Sequence, residues 1–247
     1  MRFVLCLMLL FTACAPAVAQ GVTATPDLRR MQRGGVDVAA LFERQFAQTG
    51  AVLRADFPAD RRRLADDLKA IDRMAGPPTA LMTLVFKRLT ELKRPYAARL
   101  KFAPGAAQSA LLAHLAGFYE RLFEAEGAAV CGRFAQDGTA VLFELGLSEK
   151  YAQLIDRQSV AYLKAVVGAI ETPEPSEPVR PEDWEAVMTR LLEAGAPPSF
   201  AATIAGGDPN DPDLCPALAT LLLTISLMET PEAARARADF AQNLAGY

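Results

Sequence analysis

"LCPALATLLLTISLM", Leu214 to Met228, carries no charged residue. Wound at 3.6 residues per turn it is apolar on all sides, and such a helix is either enclosed by protein or crosses a membrane. At about 1.5 Å per residue it is too short for a hydrocarbon core of about 30 Å. The stretch therefore predicts a central apolar helix near residues 214–228, surrounded by other helices. Pro216 cannot sit deep in a helix, so the helix begins no earlier than Leu214. Asp213 is then the N-cap, accepting from the backbone of Cys215, and Pro216 stands third, where a missing N–H costs nothing.

The residues just before, "IAGGDPNDPD" (204–213), concentrate acids and turn formers. A calcium loop counted from Asp208 fails, because its fifth and sixth positions are Pro212 and Asp213 and its twelfth is Ala219. Asp208 and Asp211 read instead as negative charge at the positive end of a helix dipole.

Working outward, the period is helical from Asp37 onward. Leu41, Phe42, Gln45 and Phe46 open it. Pro58 begins a helix with Leu64, Leu68 and Ile71 inward, stopped at Gly76 and two prolines. Leu81, Val85, Leu89, Leu92, Tyr96 and Leu100 form the next stripe, which Pro95 should kink or break. Leu111, Leu115, Phe118 and Leu122 form another. Ser148 is the expected N-cap of a helix through Ile170 that buries Tyr151, Leu154, Ile155, Tyr162 and Val166. "TAVLFELGL" (139–147) does not alternate and is read as a short helix ended by Gly146. Pro181 opens a helix with Trp184, Val187, Met188, Leu191 and Leu192 inward, closed by Gly195. Thr230-Pro231-Glu232 starts the last. Strand signals and fixed-period repeats are lacking. The fold class is all-α, an irregular multi-helix bundle. Residues 36–247 form a single helical domain with a Pro-rich linker at 171–181.

The beginning of the chain gives an address. Arg2, the apolar run Phe3 to Ala13 and "Ala17-Val18-Ala19" make residues 1–19 an export signal peptide, cut before Gln20, with residues 20–35 a flexible tail. The mature chain then holds no transmembrane segment and is periplasmic or secreted. The alternative is a lipobox-like "Phe11-Thr12-Ala13-Cys14", which would leave the protein lipid-anchored through Cys14. The Ala- and Arg-rich composition points to a bacterium. Removing residues 1–19 takes away Arg2 alone, leaving 25 Lys+Arg against 29 Asp+Glu, a net charge of −4. That balance excludes a nucleic-acid binder of the usual basic type. Cys6 and Cys14 leave with the signal, so Cys131 and Cys215 remain for one intramolecular disulfide in an oxidising compartment.

Chemistry is sparse. A lone His114 rules out His-based metal motifs, no phosphate-cradling loop has the right spacing, and no metal or cofactor is expected. His114, a minor candidate for a catalytic base beside Glu144, lies just off the edge of the Leu111/Leu115/Phe118/Leu122 stripe, near Arg121. Glu144, set among apolar residues, would become a proton donor if they buried it. The segment 87–101 is basic, with Lys87, Arg88, Lys93, Arg94, Arg99 and Lys101 against Glu91. Lys87, Arg94 and Lys101, seven apart, would share a face if the helix survived Pro95. They could then meet an anionic lipid surface or an acidic protein. Two functions follow. One is an exported, non-catalytic helical domain that binds a protein or lipid partner in the cell envelope. The alternative is a cell-envelope glycan hydrolase or lyase with Glu144 as general acid.

Overall fold

The computed structural model describes residues 37–74, 76–244 and 247. The signal segment 1–19, Cys14 and the tail 20–35 lie outside the described residues. Among those described there are helices and no strands. In chain order they are α1 (Val38–Gln45), α2 (Ala47–Asp56), α3 (Pro58–Asp72) and α4 (Pro78–Lys93), then a 3₁₀ segment (Arg94–Phe102). There follow α5 (Gly105–Glu126), α6 (Ala128–Asp137), α7 (Ala140–Glu144) and α8 (Ala152–Glu171). After the Pro-rich linker come α9 (Pro181–Glu193), α10 (Phe200–Gly206), α11 (Leu214–Leu227) and α12 (Pro231–Ala241). The protein is an all-α multi-helix bundle. Proline marks four of the starts, at 58, 78, 181 and 231, where its absent N–H would have had no intrahelical partner.

The hub of the bundle is α5, not α11. Leu111, Leu112, Leu115, Phe118, Tyr119 and Leu122 of α5 are buried, and α11, α8, α12 and α6 pack around it. α11 lies against α5 through Leu214, Leu221, Leu222 and Ile225, but it is not enclosed. Pro216, Thr220, Leu223 and Leu227 form an exposed stripe, with Leu227 72% exposed. An uncharged helix is permitted inside, but nothing in its pattern forces every side to be covered.

Two expected caps and one expected core residue are placed differently. Asp213 holds the N-cap position of α11 in helical backbone geometry, and its side chain makes no capping bond. Asp211 Oδ1 instead accepts from Asp213 N, and Asp208 Oδ1 from Asn210 N, each at 2.9 Å. The acids before α11 thus brace their own turns. Ser148 is buried in the turn before α8, which starts at Ala152. Leu192 is 49% exposed, whereas Asp183, on the same helix, is buried. Asp183 accepts from Arg180 N at 2.8 Å and from Arg235 Nε and Nη2 at 2.8 and 2.6 Å. These bonds to Arg235 hold its carboxyl down to about 2, and they fasten the end of the linker to α12.

Cys131 of α6 and Cys215 of α11 are joined by a disulfide, with Cα atoms 6.2 Å apart. The close approach that the small-residue stretch "GAAVCG" suggests is made by a loop. A Cβ on Gly132 would stand 1.9 Å from the carbonyl oxygen of Pro209. The backbone before α11 therefore rests directly on α6. The bridge and the packing of α12 on α5 tie the segments after the linker to those before it.

Lys93 belongs to the interior rather than to a basic face. It is fully buried, its ammonium donates to the main-chain oxygen of Tyr247 at 2.7 Å, and the rings of Tyr162 and Phe86 lie 5.2 and 5.9 Å away. Burial lowers its pKa from 10.5 to about 7. Between those two values the unfolded chain keeps the proton and the folded chain has lost it, so stability rises with pH across that window. Urea unfolding midpoints should accordingly increase from pH 7 to pH 9.5, and Lys93→Met should flatten the rise. A wild-type midpoint constant over that range would contradict the burial of an ionisable lysine.

Candidate functional site

A groove of about 740 Å³ runs between α5 and α8. Its floor follows from how α5 distributes its residues. The large side chains go inward, so the outward positions of α5 that line the groove, Ala106, Ala107 and Ala110, are small. α8 likewise turns Ile155, Tyr162, Leu163 and Val166 inward and leaves half-buried Val160 and Ala161 beside the groove. Two helices with small facing residues leave room for a third to approach closely, because side-chain size sets the interaxial distance.

The rim is basic. His114 from α5 and Arg157 and Lys164 from α8 line the groove with Gln48 of α2, and no carboxylate lines it. Arg157 and Lys164 are seven residues apart, two helical turns, and both are exposed. Neither has an ion-pair partner among the described residues. Partial burial, helped by the charge of Arg157, lowers the His114 pKa. Next to Arg157 on α8, buried Asp156 caps α2 by accepting from the backbone of Gln48 and Thr49. The groove's third wall is thereby fixed to α8.

The other residues singled out in the sequence do not join this groove. Glu144 ends α7 with its side chain 58% exposed, and its Oε2 accepts from Arg133 Nη2 at 2.8 Å. Val141, Leu142 and Phe143 turn away from it into the core, so the apolar enclosure that would make it a proton donor is not formed. Lys87 is exposed within α4 and Arg94 at the start of the 3₁₀ segment. Beyond Pro95 the chain winds at three residues per turn, so a spacing of seven no longer returns to one face. Lys101 instead lies over the Phe102 ring, 4.9 Å from its centroid, and lines a different pocket with Arg235. His114 lines the groove with Arg157. Among the described residues no cluster of His, Cys, Asp or Glu is suited to a metal ion, and no helix is long and apolar enough to cross a membrane.

Arg157 and Lys164 were not evident from the sequence, yet a signal existed. Opposite the leucine stripe of α5 runs a second stripe of alanines and glycine, and α8 carries two bases one heptad apart with no acid between them on that face. Comparisons with family models, with characterised proteins and with solved structures find no match for this chain.

Proposed function

We propose that the chain is an exported, non-catalytic helical protein of the bacterial cell envelope that binds a protein partner by receiving an acidic helix in the α5/α8 groove. The observation that carries this reading is the pairing of a small-residue floor with a rim of unpaired positive charge. A floor of Ala106, Ala107, Ala110 and Ala161 buries little by itself, but it admits a helix at close range. Arg157 and Lys164 then meet carboxylates at the edges, where steering and register are set by charge. An anionic bilayer suits this concave site less well, since a flat surface would touch only the rim. Glu144, exposed and paired with Arg133, gives the hydrolase or lyase reading no support.

The test is a photo-cross-linking residue at Ala110 in the native envelope, with the captured peptides identified by mass spectrometry. The expected result is capture of one protein through an acidic helical segment, lost when Arg157 and Lys164 are both changed to Glu. The reversal should leave the thermal midpoint nearly unchanged, because exposed charges without partners contribute roughly 0–1 kcal/mol. Capture of lipid, or of the same peptide at equal yield from the charge-reversed protein, would refute the reading.

A further inference from the structure

A second pocket, of about 340 Å³, opens beneath the Pro-rich segment, between the 3₁₀ segment, the first turn of α5 and α12. Two of its charged residues are already satisfied: Arg235 is held by Asp183 and Glu177. Three others, Lys101, Arg237 and Glu174, have no ion-pair partner among the described residues. Arg237 is only 8% exposed. Its Nη1 donates to the carbonyls of Ile225, at 2.8 Å, and Met228, while its Nε has no partner.

The remaining nitrogen, Nη2, lies 3.9 Å from the point where a Cβ on Gly105 would stand. Glu174 Oε2 lies 3.7 Å from that same point and accepts from Gly105 N, at the start of α5, at 2.8 Å. Gly105 thus leaves a gap bordered by the Arg237 guanidinium and the Glu174 carboxylate, which act on each other through space but form no ion pair. Lys101 adds a second positive charge at the wall.

A buried charge facing a gap is costly until a counter-charge with hydrogen bonds fills it. A simple anion there would meet Glu174, and a simple cation would meet Arg237 and Lys101. A molecule with both charges, held apart, satisfies all three. The volume sits at the lower end of small-ligand pockets, enough for a dipeptide. We infer that this pocket binds a small zwitterion of about dipeptide size. Its carboxylate lies on Arg237 and Lys101, and its ammonium on Glu174.

Dialanine is the probe, titrated into the full protein and followed by amide shifts at Gly105 and Ala106. N-acetyl-dialanine and dialaninamide, each lacking one charge, are the comparison ligands. Each should bind at least about tenfold more weakly than dialanine, as should dialanine to Lys101→Gln or Glu174→Gln, the loss of one charge-assisted contact. Arg237 is left in place because it also holds the end of α11, and unchanged thermal midpoints verify that both variants fold. No response to dialanine, equal binding of the acetylated ligand, or unaltered affinity in both variants would overturn the assignment.

Discussion

Replacing Cys131 and Cys215 together by alanine should cost about 4–5 kcal/mol of unfolding free energy, the entropy of an opened loop of this length in the chain-entropy model. The bridge spans 84 residues and encloses α7, α8, the linker, α9 and α10. Freeing those residues in the unfolded chain is the main term. A second term comes from packing, since both cysteines are buried and alanine leaves their sulfur volume empty. The start of α11 and the loop that rests on Gly132 should loosen first, because the bridge fixes both against α6. Urea unfolding of the double variant against the oxidised protein measures the loss, and hydrogen exchange locates it. Equal midpoints would mean that the bridge adds nothing to a contact the helices already hold.

The second large effect belongs to Asp156. Helix α2 follows α1 with only Phe46 between them, so its N-cap residue has no side-chain acceptor to offer. The acceptor comes from 107 positions away. Asp156 Oδ1 takes the Thr49 N–H at 2.9 Å and the Thr49 hydroxyl at 2.6 Å, and Oδ2 takes the Gln48 N–H at 3.1 Å. Both Asp156 and Thr49 are buried, so no water stands ready to replace the carboxylate. Asp156→Ala should therefore cost about 3 kcal/mol or more, the penalty of leaving several buried donors without acceptors. Asp156→Asn keeps one acceptor oxygen and should recover part of the loss. In a double-mutant cycle Thr49→Ala should be far less damaging once Asp156 is gone, because the two share one interaction. Additive losses would show that the carboxylate acts elsewhere.

Asp156 also joins stability to the proposed partner groove. By holding α2 against α8 it sets Gln48 beside Arg157 and Lys164. Its loss should weaken partner capture at Ala110 as well as the fold, whereas charge reversal at the rim should weaken capture alone.

The amino-acid sequence by itself determined the class of the fold and most of its punctuation. Leucines three and four apart give amphipathic helices wherever they occur, prolines 58, 181 and 231 open helices because they lack an N–H, and Gly146 and Gly195 close them at φ of +70° and +97°. These are local effects, settled within one or two turns. The Cys131–Cys215 pairing was also legible, since these are the two cysteines that lie outside the apolar run at the start of the chain. What the tertiary structure alone decided is which chemically similar residues are inside. Lys93 and Lys87 both lie on α4, yet only Lys93 meets Phe86, Tyr162 and the main-chain oxygen of Tyr247, the last 154 positions away. Asp156 and Asp183 look like ordinary surface acids until Thr49 and Arg235 are brought to them. Leu227 reads as core and is exposed, because an apolar side chain records what burial would favour and not whether a neighbour arrives to cover it. The α5/α8 groove follows the same rule. Its alanines and bases are plain in the chain, but a groove is the space between two helices, and the packing that separates them is fixed by contacts far apart in sequence.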